Sequence, residues 1–542
     1  MTPAPPSTGA EAVLVGFTDQ ANLGMGYLAA TLTEHGRGVE LADFNNPTEL
    51  LVEQIREADP LVVGFSLIFQ YYLPDYRALA QALRNAGITA HFTMGGHYPS
   101  LCFDEVLESV PELDSVARFE GELTLVDLVD RLAAGEDWRQ APGLAFRRDE
   151  ELAESEPRTL IQRLDDLPHP LRPAEPEHVV GFRTVPILAS RGCARRCSFC
   201  SIHAFYRTAP GKVVRKREPA AIVAEMRELY EQDAITVFLF QDDDFPLWGR
   251  AGRRWVDELV AELQAQDLVG KVVWKISCRA EYVEPELFAK LRDAGLYLVY
   301  MGLESGNEDG LEVLNKQISV EQNRAAIETL KQLGISFEYG FMLFDPSSTF
   351  ETVRDNARFL HEITGDGQVG ATFCRMLPYG GTPIRDRLRE EGRLRGDVTR
   401  PDYDFLDPRL GEYHRLLDEA AEGWIHNEGV SHQLNWAWTE VEVLSRLAGA
   451  LSEVHHYRGA LAELTARSNR LLFELVERSS LDFERNGDAS LLSPYRTDPV
   501  CRELVDELLL IRNGFVAENE DHLLAAIERS RVRGPIVSPQ IF

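Results

Sequence analysis

The chain lacks any apolar run near the roughly 20 residues that cross a bilayer, which argues against a membrane-spanning protein. It is also poor in cysteine. Seven in 542 residues do not make a disulfide framework, so the fold must rest on its own cores. Four of them, Cys102, Cys278, Cys374 and Cys501, are scattered and read as small buried residues. The N-terminus, Met1-Thr-Pro-Ala-Pro-Pro-Ser-Thr-Gly9, lacks the basic and apolar stretches of a signal peptide. Residues 1–10 therefore read as a disordered leader, and a cytoplasmic location follows. Positive charge is short as well. Against 87 Asp and Glu stand 56 Lys and Arg, a net charge of −31 that repels phosphate backbones and argues against nucleic acid as a partner. Hydrophobic residues make up 44% of the chain, enough for ordinary cores, and its length leaves room for three or four domains of about 150 residues each.

What is present is concentrated first in Arg191-Gly-Cys-Ala-Arg-Arg-Cys-Ser-Phe-Cys-Ser201. Cys193, Cys197 and Cys200 supply three thiolates on a C-x3-C-x2-C spacing, after the apolar run Thr184–Ser190. A cubane iron–sulfur cluster is normally held by four cysteines, so a three-cysteine loop leaves one iron open to a small molecule. The other reading is a closed zinc site with His203 as fourth ligand, in a metal-binding or sensor protein without enzymatic activity. The loop resembles that of the radical S-adenosylmethionine (SAM) enzymes. The resemblance implies a [4Fe-4S] cluster whose open iron binds SAM, and reductive cleavage of SAM to a 5′-deoxyadenosyl radical. It also implies an external electron donor of the flavodoxin or ferredoxin kind.

Residues 11–140 alternate apolar runs with helical stretches: Ala12–Gly16, Val39–Asp43, Leu61–Ser66, Ala90–Met94 and Ser115–Arg118. Apolar strands separated by helices predict a parallel sheet covered on both faces, with ligands beyond the carboxyl ends of the strands. The loops there hold Asn22 and Leu23, Ser66, Gly95 and Gly96, and Glu120, and the two glycines allow close backbone approach to a ligand. With Leu23-Gly-Met-Gly-Tyr-Leu-Ala-Ala30, Val62-Val-Gly-Phe-Ser66 and Arg118-Phe-Glu-Gly-Glu122, the region resembles the cobalamin-binding domain fused to one radical SAM subfamily. That implies a Rossmann-like fold and cobalamin held by these loops. In a D-x-H-x-x-G motif the His binds cobalt from below, but here Ala21 stands at that spacing after Asp19. Tyr98 stands where relatives often have His, with His97 beside it.

After a linker over residues 141–180, residues 181–385 again alternate strands and helices. Candidate strands are Thr184–Ser190, Ile235–Gln241, Val272–Cys278, Tyr297–Leu303, Ser336–Leu343 and Gly370–Met376. Repeated βα units of this length predict a partial (β/α)6 barrel, with chemistry at the carboxyl ends of the strands. Asp242, Asp243 and Asp244, Ser277 and Arg279, Glu304 and Ser305, and Asp345 fall there. SAM is a zwitterion with a sulfonium, so carboxylates and an arginine should converge on it. The radical SAM resemblance assigns Asp242 and Asp243 to the SAM amino group. It assigns Ser277, Arg279 and Glu304 to its polar contacts, and Gly340–Asp345 to adenine. Relatives often carry Gly at the position of Asp345.

Lys212-Val-Val-Arg-Lys-Arg217 is a local basic patch, either a clamp for an anionic small-molecule substrate or a partner for the acidic helix after it. Residues 386–542 read as helical, from Val441, Leu444 and Leu447 and from Leu461 and Leu464 at helical spacing. The aromatic stretch Trp424…Trp438 reads as a helix–helix interface in preference to a pocket. The chain is thus expected to be α/β, with a Rossmann-like cobalamin-binding domain, a partial barrel and a helical C-terminal domain. The resemblance implies a methyltransferase acting on an unactivated carbon of a small substrate through cobalamin, with a radical rearrangement or cyclisation as the alternative.

Overall fold

The computed structural model describes residues 9–18, 22–149, 151–426, 428–448, 452–495 and 499–529. Most of the expected leader, and Asp19 and Ala21 of the first loop, lie outside the described residues. Two compact units emerge. One gathers the chain up to Pro176 with Ser190–Arg217 and Leu377–Tyr403; the other gathers Glu177–Ala189, Glu218–Met376 and the chain from Asp404 onward.

The first unit is built on β1 (Ala12–Gly16), β2 (Val39–Asp43), β3 (Val62–Ser66), β4 (His91–Gly95), β5 (Ser115–Ala117), β6 (Leu144–Arg148) and β7 (Glu151–Glu154). They lie in the order 2-1-3-4-5-6-7. β1 to β5 are parallel and β6 and β7 antiparallel. Their apolar runs are continuous because both faces are covered. Val13, Val15, Val63 and Phe65 pack with Leu79 and Leu83 on one side. Ala12 and Leu14 pack with Leu32, Leu125 and Leu128 on the other. The strand order reverses between β1 and β3, and at such a switch point open α/β sheets bind their ligands.

One buried histidine in this sheet makes stability depend on pH. His91 of β4 is 7% exposed, hydrogen-bonded to Ser115 Oγ at 2.8 Å and edge-on to Trp138. Burial lowers its pKa from 6.5 to about 4. Between those values the unfolded chain binds a proton that the folded chain does not. Stability therefore falls as pH drops through this window, by about 1.4 kcal/mol per pH unit. Denaturant unfolding at pH 6.5 and 4.5 is expected to show a larger loss for the wild type than for H91Q.

The second unit opens with β8 (Glu177–Val179) and β9 (Phe182–Ile187). The ribbon of β10 (Ser190–Arg191) and β11 (Arg215–Lys216) belongs to the first unit. The second resumes with β12 (Ile235–Phe240), β13 (Val273–Cys278), β14 (Leu296–Glu304), β15 (Ser336–Phe344) and β16 (Cys374–Arg375). The sheet order is 16-15-14-13-12-9-8, parallel except for β8, with helices between successive strands: a partial (β/α)6 barrel. Capping boxes at Ser319 and Thr349 start the helices before and after β15.

The sixth strand is shorter than the sequence predicts. The backbone N–H groups of Gly370 and Ala371 donate to the Asn435 and Asn469 side chains, which draws that stretch onto the C-terminal helices. Those helices are Pro408–Ile425, Val430–Leu447, Ser452–Asn486 and Pro499–Arg529. Trp424 and Trp438 are buried among them, their indole N–H groups donating to Ser468 and Thr465, as the packing reading expects. Among the described residues no helix is long and apolar enough to cross a membrane.

Candidate cofactor sites

At the switch point of the first unit, the end of β1 and the loop after β3 face the same edge of the sheet. Asn22 caps the helix Leu23–Glu34, accepting from Met25 N–H at 3.2 Å, and donates to the Phe17 carbonyl at 2.9 Å. Leu23 is buried beneath it. Ser66 pairs in register with Gly95, and the Leu67 N–H donates to the Gly95 carbonyl at 2.8 Å. Gly96 has φ +124°, and a Cβ there would lie 1.9 Å from the Leu67 carbonyl oxygen. Its glycine identity is thus required by the neighbouring loop itself. Beyond β3, Ile68, Phe69 and Tyr71 are 46, 44 and 41% exposed. Burial, then Tyr72 and Tyr379, push the Tyr71 phenol up to about 12. This exposed apolar rim lies at the switch point, where open α/β sheets bind their ligands. Tyr98 is buried and donates to Glu105 at 3.0 Å, while His97 packs at 4.6 Å on Phe205.

The cysteines lie in the first unit too, on the segment closed by the β10–β11 ribbon, where Ser190 pairs with Lys216 and Arg191 with Arg215. Gly192 has φ +89°, and a Cβ would meet the Val213 carbonyl at 2.0 Å. Cys197 is buried and Cys193 and Cys200 are half-buried. The Arg195 N–H points at Cys193 Sγ at 3.5 Å. Three thiols on one short loop, with no fourth cysteine in it, suit a cubane cluster with one open iron. Ile202 packs on the apolar cluster of Leu160, Phe205, Tyr206 and Ala209. His203 has both ring nitrogens buried without a hydrogen-bond partner, and burial, then Arg207 and Arg196, lower its pKa.

Glu120 lies in the loop after β5. Its carboxylate accepts from Arg215 at 2.7 Å, from Arg191 at 3.2 Å and from the Ile161 N–H at 2.6 Å. Of the basic patch, Arg215 and Arg217 are buried, and Arg217 donates to Asp165 at 3.2 Å. Both hold acids far upstream in the chain, not those of the helix that follows the patch.

In the second unit the polar residues gather at the carboxyl ends of the barrel strands. Asp242 is buried and accepts from the Ala189 N–H at 3.4 Å, while Asp243 is exposed. The Ser277 carbonyl accepts from the Phe245 N–H at 2.9 Å, which pins the acidic loop to the end of β13. Burial, then Asp244 and Glu281, push the Cys278 thiol well up. Glu304 ends β14 at a register shift: Gly302 pairs with Gly340, but Glu304 pairs with Phe341. Such a bulge re-aims the side chain, and φ at Glu304 is +66°. Its carboxylate accepts from Lys316 Nζ at 2.8 Å, both side chains being at most 10% exposed. A Cβ on Gly302 would lie 2.2 Å from Glu304 Oε1 and 2.6 Å from Lys316 Nζ, so the glycine leaves room for the pair. Arg279 donates to the Lys316 carbonyl, and to Glu281 at 2.6 Å. Arg279, Glu304 and Lys316 are therefore one buried set, with both signs of charge that a zwitterion requires. Asp345 is bound up in its own turn, accepting from the Ser347 N–H at 2.7 Å and from the Ser347 hydroxyl.

Sequence reading missed Lys316. Its only local signal is the turn around it, where Asn315 and Gln317 have φ of +48° and +57°. That reading singled out Glu122, Arg191 and Arg215 within motifs but not their pairing, since the partners are far apart in the chain.

The radical SAM superfamily profile matches residues 187–360 and the B12 binding domain profile residues 12–129. The chain is 27% identical over 390 residues to an uncharacterized methyltransferase of Pyrococcus horikoshii, covering 70% of this chain and 81% of that protein. It is 28% identical over 388 residues to an anaerobic magnesium-protoporphyrin IX monomethyl ester cyclase of Cereibacter sphaeroides, covering 70% of this chain and 61% of the cyclase. The solved structure of the cobalamin-dependent S-adenosylmethionine radical enzyme OxsB with aqua-cobalamin bound has a TM-score of 0.66 at 16% identity, covering 97% of this chain and 84% of that one. At that identity the likeness is one of fold.

Proposed function

The chain belongs to the radical SAM superfamily and carries a B12-binding domain, and from that premise we propose that it methylates an unactivated carbon of a small substrate. The observation that supports this reading is that the three-cysteine loop and the B12-binding sheet lie in one compact unit, so one body would hold both cofactors. The likeness to a methyltransferase over 81% of its length supports it.

Cys193, Cys197 and Cys200 hold the cluster. The rim of Ile68, Phe69 and Tyr71, with Ser66, Gly95 and the loop at Asn22, holds the corrinoid. Asp242, Arg279, Glu304 and Lys316 hold SAM, the acids taking its amine and ribose and the cations its carboxylate. When bound, these groups supply a carbon-centred radical and a transferable methyl. The protein's own work is to bind and orient. Glu304 is held by its bulge and by Lys316, so its carboxylate is set before SAM arrives. Ile202 and its apolar neighbours keep water from the cluster loop. An external one-electron carrier, of the flavodoxin or ferredoxin kind, supplies the electron.

The likeness to a cyclase favours a second reading, rearrangement or cyclisation with the same cofactors. Product stoichiometry separates the two. Under anaerobic conditions with SAM, a chemical reductant and a small-molecule extract, methylation gives S-adenosylhomocysteine along with 5′-deoxyadenosine. 5′-Deoxyadenosine alone selects the second reading, and neither product contradicts both.

A further inference from the structure

Two arginines face each other across the ribbon that closes the cysteine loop. Arg191 and Arg215 are register partners on β10 and β11, with side chains 11 and 1% exposed. Two adjacent guanidinium groups repel, and burying them is unfavourable without counter-charges. The counter-charges come from the loop after β5. Glu120 accepts from Arg215 at 2.7 and 2.8 Å and from Arg191 at 3.2 Å. Glu122 pairs with Arg191 at 2.7 Å. The two acids are 6 and 5% exposed, and the four charges cancel in a nearly dry interior.

The backbone is shaped for this arrangement. Phe119, directly before Glu120, has φ +64°, an outlier for a bulky residue. It is held there by its N–H donating to Ser100 Oγ at 2.7 Å and by its ring, which packs at 5.3 Å on Phe205 of the helix that follows the cysteines. On the far side of the ribbon, Arg191 lies over the Tyr27 ring and Arg215 over Tyr206. The B12-binding sheet thus grips the cysteine segment at both the ribbon and the helix, through one strained turn.

We propose that Glu120 and Glu122 are positioning residues for the iron–sulfur cluster: they fix the base of the cysteine loop against the B12-binding sheet and so set the cluster's midpoint potential and its response to SAM. The inference rests on the reading that Cys193, Cys197 and Cys200 hold that cluster. The two acids act through Arg191 and Arg215. Replacing Glu120 by its neutral isostere leaves a buried cation beside a loop whose cluster gains negative charge on reduction, so the reduced form is favoured.

The test uses the full chain reconstituted with iron, sulfide and hydroxocobalamin, as wild type, E120Q, E122Q and E120D. Redox titration followed by electron paramagnetic resonance reads the midpoint potential and the g-values with and without SAM. Corrinoid content and melting temperature report on the fold. The expected result is that E120Q retains corrinoid but has a raised potential, an altered SAM-induced g-shift and at least tenfold slower 5′-deoxyadenosine formation. E120D is expected to restore part of the change, because it keeps the charge. If E120Q does not fold, E122Q, in which Glu120 still pairs with both arginines, is read in the same way. Unchanged potential and g-values in the folded variants overturn the inference while leaving the proposed function standing. A wild type that assembles no cluster overturns both.

Discussion

Replacing Cys197 by Ala abolishes SAM cleavage and reduces bound iron to background, while the fold persists. Cys197 is the middle residue of the triplet and the most buried of the three. Without it two thiolates remain, too few to hold a cubane against loss of iron in water. Ala is smaller than Cys, so the substitution does not crowd the ribbon-closed loop. Anaerobic reconstitution followed by iron analysis and chromatographic assay of 5′-deoxyadenosine reads both effects. Cys501, buried in the C-terminal helix Pro499–Arg529, provides the control: C501A should keep its iron and its activity. Cleavage at wild-type rate by C197A would remove the chemical basis of the whole account.

Lys316→Met has the second-largest expected effect. Lys316 is the counter-ion of a carboxylate that is itself buried and held in a left-handed bulge. Removing one partner of such a pair leaves an uncompensated buried charge, at a cost of about 3–5 kcal/mol. Met matches the length of the side chain, so the loss is of charge and not of packing. SAM should bind more weakly by roughly 10- to 100-fold, the value of one charge-assisted hydrogen bond of about 1.5–3 kcal/mol. Iron content should be unchanged, because Lys316 lies on none of the cysteine-bearing segments. Denaturant unfolding measures the first effect, and equilibrium binding of SAM to the reconstituted protein the second. K316R retains the charge and should recover most of the affinity. Wild-type SAM affinity in K316M would remove Lys316 and its partner Glu304 from the SAM site.

What could be read from the sequence was local. The apolar runs of β1, β3 and β4 are continuous because both faces of their sheet are covered, and that pattern survives in any context. The βα alternation announced the barrel, and the cysteine spacing announced the loop. What escaped was long-range electrostatics. Glu120 and Arg215 are 95 residues apart, and nothing near either marks the other as its partner. Glu304 and Lys316 are 12 apart, but a bulge and a left-handed turn bring them together, and a bulge leaves no pattern in a strand of alternating residues. Asp345 looked like one more strand-end acid, yet its carboxylate serves the turn at Ser347. The close approach of the Leu67 carbonyl to Gly96 was likewise not legible in the sequence.

The central expectation is that one unit holds two cofactors. The direct measurement is the iron and corrinoid content, with the visible spectrum, of protein reconstituted anaerobically with hydroxocobalamin. The prediction is about four irons and one tightly held corrinoid per chain. Four irons without corrinoid would contradict the assignment of the switch-point rim, and stoichiometric zinc in place of iron would contradict the cluster itself.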